Sequence, residues 1–243
     1  MRTTPIVLMT VLLTGFLAAR ADCAPYRAVA VPNGATITGQ VSYAGAPPKP
    51  KRVAVTKDKD VCAAQPHFDN SLKVASDGGI ANAVVFISNI AQGAPAKPRV
   101  VTMDQKGCQY IPRVLAFPAG STVDVLNSDG ILHNIHTYSS LNSPVNYAQP
   151  GFKKELQITV DHPELIKVTC DAHDWMEGWW YVFGNPYFAR TGADGRFTIK
   201  DVPPGNYKLT VWQEKLGTQS QPVTVSGDQT VAVNFVYHPK PNP

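Results

Sequence analysis

The chain has 243 residues, of which 44% are hydrophobic and 16% charged, and a formal net charge of +4. That length can bury two modest cores. The basic residues are scattered apart from short runs at 49–52 and 57–59, which argues against nucleic acid as a partner and leaves little long-range steering toward a charged one.

In chain order, Arg2 is followed by an apolar run at 6–19 that is short for a membrane span, and then by Ala19-Arg20-Ala21. This reads as a signal peptide over 1–21, with the mature chain starting near Asp22. An uncleaved anchor is the alternative. The expected location is periplasmic or otherwise exported, with no transmembrane span in the mature chain. Loss of Arg2 and Arg20 takes the formal charge from +4 to +2. Cys23 raises lipid attachment, but Arg20-Ala21-Asp22 is a poor lead-in, so a lipid-anchored form is the less favoured reading.

Beyond this segment the punctuation is that of an all-β protein, with frequent Gly and Pro (18 and 21 in the whole chain) between short apolar or alternating runs. Candidate strands are 36–43, 53–56, 82–88, 99–104, 114–117, 122–127, 154–160, 165–170, 179–183, 196–200, 205–213, 221–225 and 230–237. No long amphipathic helix is expected. The proline-rich stretch 44–51 reads as a solvated extended segment.

The densest chemistry is Cys170-Asp171-Ala172-His173-Asp174-Trp175-Met176, with His133 upstream in Asn127-Ser128-Asp129-Gly130-Ile131-Leu132-His133-Asn134. One Cys, two His and one Met make the ligand set of a type 1 (blue) copper: a trigonal His2Cys plane and a weak axial Met. Zinc fits poorly, because a thioether is a soft ligand better suited to copper. Residues three apart on a strand face opposite sides, so Cys-x2-His-x2-Met must be a tight loop to converge. Taken singly, Cys170 could be a buried thiol or half of a disulfide, and Met176 a core residue; the combination favours one copper. His136, three residues after His133, would face away. Glu177 is a weaker ligand candidate than its neighbour Met176.

This stretch resembles the cupredoxins of the amicyanin and plastocyanin type. The match is carried by His133-Asn134, Cys170, His173, Met176, Gly178 and Trp179-Trp180-Tyr181-Val182-Phe183, over about residues 100–184. The resemblance implies an antiparallel β-sandwich with copper at one end, bound by His133, Cys170, His173 and Met176. It implies that Asn134 clamps the His133 strand to the Cys170 loop. It also implies that the His173 edge reaches the surface through an apolar patch, here Ala172 and Trp175 with Pro144 or Pro150. Trp179 and Trp180 are adjacent, so one faces outward, where packing against a neighbouring domain is favoured over a docking role. If Cys170 binds metal, Cys62 and Cys108 are the natural disulfide partners in an oxidising compartment, although sequence alone does not fix the connectivity.

The C-terminal part carries Thr191-Gly192-Ala193-Asp194-Gly195-Arg196-Phe197 and then Val202-Pro203-Pro204-Gly205-Asn206-Tyr207. Asp-Gly favours a tight hairpin turn. Phe197, Ile199, Tyr207, Leu209 and Val211 alternate toward one face. This is similar to the carboxypeptidase regulatory-like domain, a transthyretin-like β-sandwich. The opening strands of that family are matched by Ile37-Thr38-Gly39-Gln40-Val41 and by 82–87, far upstream. The expectation is one discontinuous sandwich, 34–98 with 185–238, and a cupredoxin domain at 99–184 inserted between its parts. Three consecutive pieces are the alternative.

The expected function is an exported blue-copper protein carrying single electrons between redox protein partners. The alternative is a copper-binding or structural module with no carrier role. A copper oxidase or reductase is not favoured: the chain has six His and no His-x-His pair.

Overall fold

The computed structural model describes residues 26–239. The signal segment, its cleavage point and Cys23 lie outside the described residues. Among the described residues, no helix is long and apolar enough to cross a membrane.

The structure is all-β and forms two sandwiches. In the first, one sheet runs Glu155–Val160, Ser121–Asn127, Val100–Gln105, Tyr110–Ile111. The facing sheet runs Asn146–Gln149, His133–Tyr138, Leu165–Thr169, Glu177–Phe183, Val114–Pro118. Pairing is mostly antiparallel; Val100–Gln105 with Ser121–Asn127, and Val114–Pro118 with Glu177–Phe183, run parallel. Strict alternation in Ser121–Asn127 and Glu155–Val160 buries every second residue. These residues meet Trp180, Phe117, Ile135 and Val168 in the core.

The second sandwich draws its strands from both ends of the chain. Val84–Ile87 lies between Phe188–Arg190 and Gly205–Gln213, and Gly217–Val225 completes that sheet. Ala35–Tyr43 pairs with Arg196–Val202 on one side and with Thr230–Ala232 and Phe235–Tyr237 on the other. Their core is one cluster that includes Ile37, Val41, Val85, Phe197, Ile199, Leu209 and Val211. Gly195 takes φ +74° in the Asp194-Gly195 turn, a conformation that suits glycine.

Three local departures from expectation have identifiable causes. Residues 53–56 form no strand: Val53 donates to the carbonyl of His67, and a single bridge joins Arg52 to Phe68. The partner is an irregular turn containing Pro66, which offers no ladder. The expected 230–237 strand splits at Val233, whose carbonyl oxygen would stand 1.8 Å from a Cβ on Gly39. Asn146–Gln149 is a strand although three of its four residues are exposed; pairing with His133–His136, not apolar patterning, holds it extended.

An aromatic seam joins the sandwiches. Trp180 points into the first core, while Trp179 faces out and packs edge-on against Trp212 of the second sandwich at 5.5 Å. Phe183 stacks on Phe188 at 4.4 Å, and Phe86 meets Tyr181 at 5.3 Å. Arg113 adds a bidentate ion pair to Glu214 across the seam.

Candidate metal centre

His133 begins the strand His133–Tyr138, and Cys170 follows directly on Leu165–Thr169. Neighbouring strands of one sheet therefore deliver both side chains to the same end of the sandwich. The chain then turns tightly. The Met176 N–H donates to the His173 carbonyl at 3.0 Å, and the Cys170 N–H donates to the Met176 carbonyl at 3.2 Å. Cys170, His173 and Met176 thus share one closed loop, and all three side chains are buried.

One donor atom each from His133, Cys170 and His173 lie within 4.8 Å of one another. His133 Nδ1 is 3.1 Å from His173 Nδ1, which is 3.7 Å from Cys170 Sγ. Asn134 joins the two segments. Its backbone N–H points at Cys170 Sγ at 3.4 Å, and its side-chain oxygen accepts from the Asp171 N–H. Met176 is 1% exposed in the same core. Glu177 points elsewhere, paired with Arg113 and Lys167. His136 lies at the surface, against Asp171 and stacked on Tyr138.

Both imidazoles are anchored from behind. His133 Nε2 lies 2.9 Å from Asp129 Oδ2, and His173 Nε2 lies 2.9 Å from Asp58 Oδ2. A carboxylate on the outer ring nitrogen fixes the tautomer and turns the other nitrogen inward. Burial works against a charged His133, but hydrogen bonds to Asp129 and Cys170 outweigh it and lift its pKa to about 9. Burial also disfavours the Cys170 thiolate, yet His133 and the backbone N–H groups of Asn134, Ala172 and His173 bring its pKa below the ordinary thiol value. Burial is the leading cause that keeps His173 below the usual histidine range. His133 Nδ1 therefore faces both Cys170 Sγ and His173 Nδ1, while its Nε2–H donates to Asp129 and His173 donates from Nε2 to Asp58. Three soft and borderline donors thus converge here, with the Cys170 thiol made more acidic by its neighbours. Two imidazole nitrogens and a thiolate, with a buried thioether in the same loop, suit copper.

The structure departs from expectation at His173. Its side chain is 0% exposed, so no imidazole edge reaches the surface through a patch of Ala172, Trp175 and a proline. Residues 51–70 cross the end of the sandwich and cover it. This strap contains the one-turn helix Lys59–Cys62 and is fastened by the disulfide Cys62–Cys108, with a Cα–Cα distance of 5.3 Å. Trp175 closes the other side, its ring 5.1 Å from that of His173. Cys170 remains the free cysteine among the described residues.

Sequence reasoning missed Asp129 and Asp58. Asp129 was within reach, four residues before His133 beside the turn at Gly130. Asp58 lies 115 residues from His173, and nothing local marks it.

The carboxypeptidase regulatory-like domain family matches residues 183–238, the later strands of the second sandwich. No curated protein matches the chain. Among solved structures, the copper-containing nitrite reductase NirK from Thermus scotoductus SA-01 is 26% identical over 36% of this chain, with a TM-score of 0.31. The chain spans only 23% of that enzyme's length. Two amicyanin variants, one with Cu(I) and one oxidised, are 18% and 22% identical over 35% of this chain and 82% of theirs, each with a TM-score of 0.32. The similarities cover about a third of the chain, so strand order and the two separate cores carry the fold assignment: a cupredoxin-like sandwich joined to a transthyretin-like one.

Proposed function

We propose that this chain is an exported protein holding one type 1 copper through His133, Cys170, His173 and Met176, and that it passes single electrons between redox protein partners. The supporting observation is the convergence of two imidazole nitrogens and one cysteine sulfur within 4.8 Å, each already set by hydrogen bonds. Copper held there supplies a one-electron couple between Cu(I) and Cu(II). Cys170, whose thiol is made more acidic by His133 and the surrounding backbone N–H groups, contributes the soft negative ligand. Asp129 and Asp58 keep both imidazoles aimed inward. The Asn134 N–H bond to sulfur and the dry surroundings, with Tyr110 and Trp180 in the same core, tune the potential. Sandwich and disulfide restrict movement of the ligands, which suits electron transfer because little rearrangement accompanies it.

A second reading has one specific observation in its favour. Neither ligand imidazole is exposed, which suits a module that holds copper without exchanging electrons rapidly. Reconstitution of the mature protein with Cu(II), followed by visible and EPR spectroscopy, tests the metal assignment. An intense sulfur-to-copper band is expected, absent in Cys170→Ser and largely kept in His136→Ala. A colourless protein with tetragonal nitrogen and oxygen coordination defeats it. Rapid reversible oxidation and reduction by small redox reagents then separates carrier from passive holder.

A further inference from the structure

We propose that Asp58, carried on the strap of residues 51–70, is a positioning residue for the metal-binding His173. The Cys62–Cys108 disulfide joins it mechanically to Asp129, which does the same for His133. The inference rests on the copper reading above and adds that the site is completed from outside the cupredoxin-like sandwich.

The geometry carries it in steps. Asp58 Oδ2 lies 2.9 Å from His173 Nε2, on the far side of the ring from Cys170. Asp58 holds a left-handed backbone, φ 48° and ψ 45°, a conformation that is uncommon outside glycine but that Asp tolerates better than most residues. Here the Val61 and Cys62 N–H groups bond its carbonyl at 3.1 and 2.8 Å. Cys62 is bonded to Cys108, whose own N–H donates to Asp129 Oδ2 at 2.8 Å. Asp129 in turn holds His133 Nε2. A continuous path therefore runs from one histidine to the other: His173, Asp58, Cys62, Cys108, Asp129, His133. The path is braced by His67 on the Cys62 carbonyl at 2.7 Å and by the Trp175 indole on the Cys108 carbonyl at 3.1 Å. A contact that merely filled a surface gap would not need these braces.

Asp58→Ala and Asp58→Asn test this in the full mature chain. The asparagine oxygen can still accept the His173 N–H, but it carries no charge. In metal-free protein labelled with 15N-histidine, long-range proton–nitrogen correlations report the ring tautomer. His173 is expected as the Nε2–H form in the native protein and in Asp58→Asn, and as a mixture in Asp58→Ala. With Cu(II) and a competing chelator, Asp58→Ala should bind copper about 10–100-fold more weakly, the usual cost of losing such an outer partner. Asp58→Asn should lose less affinity, yet show a higher reduction potential, since a negative charge beside the centre favours the oxidised ion. Native tautomer, affinity and potential in Asp58→Ala would overturn the proposal. If Asp58→Ala does not fold, an unchanged potential in Asp58→Asn together with an Nδ1–H tautomer of His173 in the native chain overturns it. A native chain that takes up no copper defeats the underlying reading alone, because the metal-free tautomer measurement still decides whether Asp58 sets the ring.

Discussion

The ion pair between the two sandwiches gives a quantitative test of how they are joined. Arg113 Nε and Nη2 bond the two oxygens of Glu214 at 2.6 and 2.7 Å, with side chains 10% and 4% exposed. Removing one partner of such a buried pair leaves an uncompensated charge and costs about 3–5 kcal/mol. The two single changes should differ within that range. Without Glu214, the guanidinium keeps the Glu177 carboxylate, Asn70 and the Glu177 carbonyl, so Glu214→Leu should cost about 3 kcal/mol. Without Arg113, Glu214 keeps only the Trp179 indole N–H as a side-chain donor, so Arg113→Met should lie near 5 kcal/mol. The double variant removes both charges and should cost clearly less than the sum, since apolar replacement of a buried pair is often close to neutral. Urea unfolding of the four proteins at pH 7 gives the cycle. In thermal melts the single changes should lower Tm by about 6–20 °C for a chain of this size. Additive costs, or an Arg113→Met loss under about 1 kcal/mol, would refute the reasoning and leave the aromatic seam as the main junction.

Replacing Cys62 and Cys108 together by Ala should destabilise the chain by about 4 kcal/mol on the loop-entropy estimate for a separation of 46 residues, and should speed copper release to a chelator because both carboxylates lose their tie. Met176→Leu should retain copper and raise the reduction potential; an unchanged potential and spectrum would mark Met176 as packing. Desolvation pushes the Glu164 carboxyl up, but the hydrogen bonds from Ser139, Ser140, Asn142 and Leu141 together outweigh it and hold the group at about 2. Its folded pKa is thus below the unfolded one, so its stabilisation is complete above about pH 4.5 and lost as pH falls toward 2; Glu164→Gln should flatten the unfolding profile across that window, and an unaltered profile would contradict the contact network. A fragment of residues 185–238 should not fold alone, because Ala35–Tyr43 and Val84–Ile87 supply the strands it pairs with; a dispersed amide spectrum from that fragment would show an independent domain.

Much of this protein is legible in its sequence because the signals are local. Period-two alternation, Asp-Gly and Pro-Gly punctuation, and apolar runs place the main strands within a few residues. Cys170, His173 and Met176 stand out as candidate ligands because a ligand loop must be short, and the Trp179-Trp180 pair shows by alternation alone that one ring faces out. Tertiary structure decided the remainder. Asn146–Gln149 is a strand only because His133–His136 needs an edge partner. The 53–56 run has the right residues and finds no ladder. The outward face of Trp179 meets Trp212 and Glu214 only once strands from both ends of the chain form the second sandwich. His173 shows the difference most clearly. The loop spacing marks it as a candidate ligand, but whether its outer edge meets water or a carboxylate depends on a segment over a hundred residues away. Hydrogen bonding and burial depend on distance in space, and a contact between such remote positions leaves no periodicity in either segment for sequence reading to detect.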